Sequence, residues 1–184
     1  YQPYADNLIK LIKEVAPSAE IVIQQTWSYN SGTPNFLPAK NLNQTQMYEK
    51  LTESYIILSK KYNFRVIPSG LAVQLYRKAM GDQLNKIDNA IQKTMKQPDL
   101  PANNDLVGNF SWSKDKENGQ PFLQTDWIHL NNDGKYLQAL VWFGILFGKE
   151  PQKVTYVPKG MKPEKADLLK KCAAEAIAQF PQVK

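Results

Sequence analysis

Two short apolar runs, Ile21-Val22-Ile23 and residues 64–68, constrain this chain more than any other feature of it. Each is rich in β-branched or aromatic residues and lies between segments of helical periodicity, the pattern of a strand buried on both faces of a parallel sheet. Tyr4, Leu8, Leu11, Ile12 and Val15 recur at helical spacing, with Pro3 tolerated in a first turn. Residues 45–62 repeat that spacing until Asn63, and a third helix is expected over 71–80 after Ser69-Gly70. Helix, strand, helix, strand, helix is the order of an α/β layer, whose crossovers are right-handed almost without exception.

Further along, residues 82–96 predict another amphipathic helix through Leu84, Ile87, Ile91 and Met95. Residues 28–42 and 97–120 read as irregular, with Asn118-Gly119 a tight turn. Residues 134–148 form the most hydrophobic helix, with 140–147 as a buried face on which Val141, Phe143, Leu146 and Phe147 are core. Residues 154–157 give a weak third strand, and Pro163 opens a last helix that packs Cys172 as an inert thiol.

A sheet of two or three strands among five or six helices leaves an apolar edge unpaired. The 184 residues suit one domain, but the missing strands point to a larger sheet of which residues 1–184 are the C-terminal part. The start at Tyr1, without Met or leader, agrees with an upstream segment of about 70–100 residues, two or three βα units.

Composition excludes several classes of function. A single histidine and a single cysteine rule out multi-histidine and cysteine-cluster metal sites and any internal disulfide. No apolar run reaches the ~18 residues that span a bilayer. The net charge of +6 rests on 21 Lys and only 2 Arg, dispersed along the chain. Nucleic-acid recognition relies on arginine forks, so a solvated lysine surface, including Lys159, Lys162, Lys165, Lys170 and Lys171, is the expectation.

Chemistry concentrates in Asp126-Trp127-Ile128-His129-Leu130-Asn131-Asn132-Asp133-Gly134, placed on a loop that enters the hydrophobic helix. Asn131, Asn132 or Asp133 can cap that helix and so fix the loop. An Asp three residues before a His can accept the imidazole N–H, which selects the tautomer and stabilises the imidazolium formed when the other nitrogen takes a proton. His129 is thus the candidate general base and Asp126 its orienting acid. Trp27, Tyr29 and Trp127 are candidate substrate contacts, able to stack on a sugar or line an acyl pocket.

The stretch D-W-I-H-L-N-N-D-G-K-Y-L resembles the last block of the SGNH, or GDSL-type, hydrolase superfamily. The strand ends Thr26-Trp27-Ser28-Tyr29 and Ile67-Pro68-Ser69-Gly70 resemble its last two strands, and the whole is most similar to an uncharacterised branch common in gut bacteria. The resemblance spans about residues 4–148. It implies a flavodoxin-like three-layer α/β/α fold with a parallel sheet, no cofactor, and a Ser-His-Asp triad completed by Asp126 and His129. It also implies a small-molecule ester or acylated glycan as substrate, and a periplasmic or secreted location. The family's Gly-Asp-Ser nucleophile block and its two oxyanion-hole blocks do not occur here, and Asn103-Asn104-Asp105 follows the strands instead of preceding them. Ser28, Ser31 and Ser69 lie near strand ends but outside any nucleophile-like turn. Two functions therefore stand open: a serine esterase whose nucleophile lies upstream of Tyr1, and a non-catalytic carbohydrate-binding relic of one. A basic interaction protein is a third reading, against which the scattered lysines argue.

Overall fold

The computed structural model describes residues 4–36 and 42–183; Pro3 and residues 37–41 of the expected loop lie outside them. The order is α1 (Tyr4–Val15), β1 (Ile23–Gln24), α2 (Gln44–Tyr62), β2 (Val66–Ile67), α3 (Ser69–Met80), β3 (Val107–Lys114), β4 (Pro121–Leu130), α4 (Asn132–Phe147) and α5 (Pro163–Gln179). β1 and β2 pair in parallel, Ile23 with Val66 and Gln24 with Ile67, while β3 and β4 form a separate antiparallel hairpin. The chain is a mixed α/β protein.

Local chemistry sets the element ends. Asn43 opens α2 with a reciprocal capping box to Gln46, and Asn63 closes it in the left-handed region at φ 55°. The parallel pair then separates two apolar clusters by strand alternation. Ile23 and Val66 pack with Tyr55 and Phe180, and Leu51, Ile56 and Leu58 of α2 flank them. Ile67 instead joins the larger core built from Val73, Tyr76, Leu106, Leu137, Leu140 and Leu169. The outer edge of β2 is closed by a side chain: the Gln182 amide accepts from Val66 N at 2.9 Å and donates to Val66 O at 2.8 Å. Cys172 is buried in the larger core, as expected.

Several expectations fail, each for a local reason. Residues 82–96 form two short 3-10 turns instead of a helix, because Asn104 takes the Asn85 N–H and the Gln83 carbonyl, and the Asp88 side chain takes the Ala90 N–H. Residues 107–114 are a strand, with the Asn118-Gly119 turn correctly placed between it and β4. Residues 154–157 make no strand: Val154 and Val157 pack on the core, and the Tyr136 hydroxyl takes the Tyr156 carbonyl. The face of α4 is only half core. Val141 is fully buried, whereas Trp142, Phe143 and Leu146 are exposed and Phe147 is 67% exposed. The apolar side chains Tyr4, Leu8, Leu11 and Val15 of α1 are exposed as well.

Candidate functional site

The Asp126–His129 segment is part of β4 instead of the expected loop, but it is not regular strand. Val107 pairs with Leu130 and Asn109 with Asp126, so residues 127–129 bulge opposite Gly108. Gly108 takes φ 114°, a conformation that favours glycine. A bulge strips amides of their ladder partners, and here the Asp126 side chain replaces them. Its Oδ1 accepts from Ile128 N at 2.8 Å and from His129 N at 3.0 Å. The other oxygen, Oδ2, lies 3.0 Å from His129 Nδ1. One carboxylate thus folds the turn and orients the ring, the re-aiming that bulges beside active sites provide.

The electrostatics follow from those bonds. Partial burial pushes the Asp126 carboxyl up, but the His129 and Ile128 amides and the imidazole outweigh it and hold the group below the usual carboxylate range. An ionised carboxylate only accepts, so the tautomer it selects in the neutral imidazole carries its proton on Nδ1, toward Oδ2, and leaves the lone pair on Nε2. The His129 side chain is 75% exposed, so Nε2 is accessible. Directly after the bulge, Asn131 caps α4 by accepting from Gly134 N at 3.1 Å. Of the three candidate caps, Asn131 performs the role; Asp133 instead pairs with Lys165.

The aromatic candidates separate. The Trp27 indole donates to Ile128 O at 2.8 Å and so ties the end of β1 to the bulge. The Trp127 carbonyl accepts from Asn30 N at 2.9 Å, but its ring is 5% exposed, edge-on to Phe110 at 5.0 Å. Trp127 therefore packs inside the fold while His129 is exposed, and the Trp127 indole N–H finds no partner among the described residues. Tyr29 is half-buried beside Phe36, and its carbonyl accepts from Gln44 and Arg77. Ser28 and Ser69 are buried, and the Ser28 hydroxyl is engaged by Gln74 and Arg77; Ser31 is exposed in a turn.

Beneath the bulge lies a network that sequence reasoning missed. Arg77 and Asp105 form an ion pair at 2.9 Å with side chains only 4% and 1% exposed. Arg77 also donates to the Ser28 and Tyr29 carbonyls, while Asp105 accepts from the Leu106 and Val107 amides and from the Asn30 side chain. Asn131 closes the circuit by donating to the Asp105 carbonyl at 2.7 Å. Tyr76 donates to the Asn104 carbonyl at 2.9 Å, and burial, with Asp133 and Asp105 nearby, pushes its phenol up to about 12. The network locks the 28–30 loop, the start of β3 and the cap after His129 in one register. One signal was available: Arg77, one of two arginines against 21 lysines, sits between apolar positions of α3.

No family model and no curated protein matches this chain. Among solved structures, it is similar to a DUF4886 family protein from Bacteroides uniformis, with 22% identity and a TM-score of 0.64. The match covers 96% of this chain and 55% of that one, so the chain spans little more than half the length of its structural neighbour. At that identity the likeness concerns the fold alone.

Proposed function

We propose that this chain is the C-terminal part of an SGNH-type ester hydrolase acting on a small or carbohydrate-linked ester. His129 is its general base, Asp126 its orienting acid, and the nucleophilic serine belongs to the same domain upstream of Tyr1. The observation that carries this reading is the Asp126 Oδ2–His129 Nδ1 contact at 3.0 Å, made in a bulge that leaves Nε2 exposed.

In the proposed cycle, Nε2 takes the proton of the serine hydroxyl as its oxygen attacks the ester carbonyl carbon. Asp126 stabilises the resulting imidazolium. The tetrahedral intermediate collapses with cleavage of the C–O bond, and the leaving alcohol takes the proton from Nε2. Water, deprotonated by the same nitrogen, then attacks the acyl-enzyme; the acid departs and the serine regains its proton. Trp27 acts as a positioning residue through its bond to the Ile128 carbonyl.

The test is hydrolysis of 4-nitrophenyl acetate by the polypeptide that the gene encodes around residues 1–184. The expected result is activity that falls by about 10⁴ in Asp126→Asn, where the tautomer is reversed, and by about 10⁶ in His129→Ala, where the base is removed. Equal activity in the parent and both variants would overturn the proposal. A parent without activity that binds carbohydrate would point to the non-catalytic relic.

A further inference from the structure

The two edges of the parallel pair are treated differently. Ile23 N and Gln25 N donate to the Arg65 and Ile67 carbonyls, which turns the Gln24 backbone toward the other side. On β2, the alternate residue Val66 likewise faces outward, and the Gln182 amide satisfies both of its backbone groups. No strand and no such side chain covers the β1 edge among the described residues. Beside that edge runs a groove of about 620 Å³, lined by Gln24 and by Trp142, Phe143, Leu146 and Phe147 of α4. One edge is closed, and the other is open and flanked by four large apolar side chains, so a further strand has a place to pair only on the β1 side.

We infer that the β1 edge and the exposed face of α4 dock a further parallel strand, supplied by a segment of the same polypeptide that precedes α1. Chain direction favours this occupant over a second copy. A strand on the β1 edge that leads through α1 into β1 makes a right-handed βαβ crossover in the same sense as β1–α2–β2, which puts α1 and α2 on the same face. The pairing of Asp6 with Lys61 and Tyr62 joins the first turn of α1 to the end of α2. It also explains α1 itself: a crossover helix packs on the pair of strands it joins, and with one of them absent Leu8, Leu11 and Val15 are bare. The tail that carries Gln182 is held at the opposite edge, so a C-terminal extension is poorly placed to fill this one. The structural neighbour has further chain beyond the match. With 96% of 184 residues matching 55% of its chain, roughly 145 of its residues lie outside the match. This names the partner of the site proposed above; it rests on that reading for the nucleophile and not for the strand.

Hydrogen exchange followed by mass spectrometry tests the inference, comparing residues 1–184 with the longer polypeptide that the gene encodes. Peptides covering residues 22–26 should exchange at least tenfold more slowly in the longer chain, whereas Val66, already closed by Gln182, should change little. Phe147→Asp, which sets a negative charge at the C-terminus of α4 and removes the Phe143 contact, should lower the melting temperature of residues 1–184 slightly and that of the longer chain by clearly more; should it prevent the longer chain from folding, Phe147→Ala reports the same difference. Equal exchange over 22–26 in both forms overturns the inference, as does a gene with no coding sequence before Tyr1. Protection of 22–26 in the 184-residue chain that grows with concentration, with a dimer mass, overturns it in favour of a second copy. Protection without reaction at a serine-directed fluorophosphonate leaves the docking intact and removes the hydrolase; labelling with an open edge does the reverse.

Discussion

Removing the Asp105 carboxylate strips Arg77 of its counter-charge inside the fold, and the structure gives the size of the consequence. The guanidinium makes three contacts of 2.9–3.2 Å with that carboxylate, and the two side chains are 4% and 1% exposed, so water cannot stand in. Breaking a buried pair by deleting one partner costs about 3–5 kcal/mol, because a desolvated charge is left behind. Asp105→Ala also frees the Leu106 and Val107 amides, which places the expected loss at the upper end. For a chain of this size about 2–4 °C accompany each kcal/mol, so the melting midpoint should fall by roughly 10–20 °C. Urea denaturation followed by circular dichroism measures the loss directly. The double variant Arg77→Met/Asp105→Ala should recover part of it, since the buried cation is gone while the orphaned amides remain. A loss under about 1 kcal/mol for Asp105→Ala, or a double variant no better than the single one, would contradict a buried pair holding the 28–30 loop against β3.

Other consequences are as direct. The Asp126 carboxyl is held below its ordinary range. The stability it contributes is therefore complete above its unfolded-state pKa of about 4 and is lost as pH falls through the lower folded value. Urea midpoints of parent and Asp126→Asn should differ at pH 6 and draw together as pH falls below the ordinary carboxylate range; a constant gap would show that the carboxylate's charge is irrelevant. Gly32→Ala puts a Cβ 2.1 Å from the Ile87 carbonyl and 2.5 Å from the Trp127 ring, and should cost about 1–3 kcal/mol by thermal melting. In Gly144→Ala the nearest atom is the flexible end of Ile177 at 2.3 Å, and the change should stay within about 1 kcal/mol as helix propensity offsets the contact. Burial pushes the Cys172 thiol up to about 11, so at pH 8 Ellman's reagent should react with it only after unfolding. Fast labelling of the native chain would place Cys172 outside the core.

The elements legible in the sequence are those whose signals are local. The β-branched runs around Ile23 and Val66 marked the parallel pair, and Asn63 marked the end of α2 because its side chain suits the left-handed cap. The Asp-x-x-His spacing foretold the carboxylate–imidazole bond, since a single turn brings the two side chains together. What was lost depended on distant partners. Residues 109–113 do alternate, with polar Asn109, Ser111 and Ser113 around Phe110 and Trp112, but the run is short and broken at the Gly108 bulge; pairing with β4 makes it a strand. The apolar spacing of 82–96 was real, but Asn104 captured the backbone groups that a helix needs. The Arg77–Asp105 pair joins residues 28 apart, beyond any periodicity. The misjudged face of α4 has a different cause: its composition is that of a core helix, and only the packing shows that Trp142 is partly and Phe147 mostly open to solvent.

The most direct measurement is the intact mass of the gene-encoded polypeptide before and after a fluorophosphonate, which esterifies only an activated serine. The expected result is a gain of one probe in the parent, lost in His129→Ala and strongly slowed in Asp126→Asn, with the labelled serine mapping upstream of Tyr1. No labelling of the parent, or labelling that survives His129→Ala undiminished, would contradict a catalytic role for the Asp126–His129 pair.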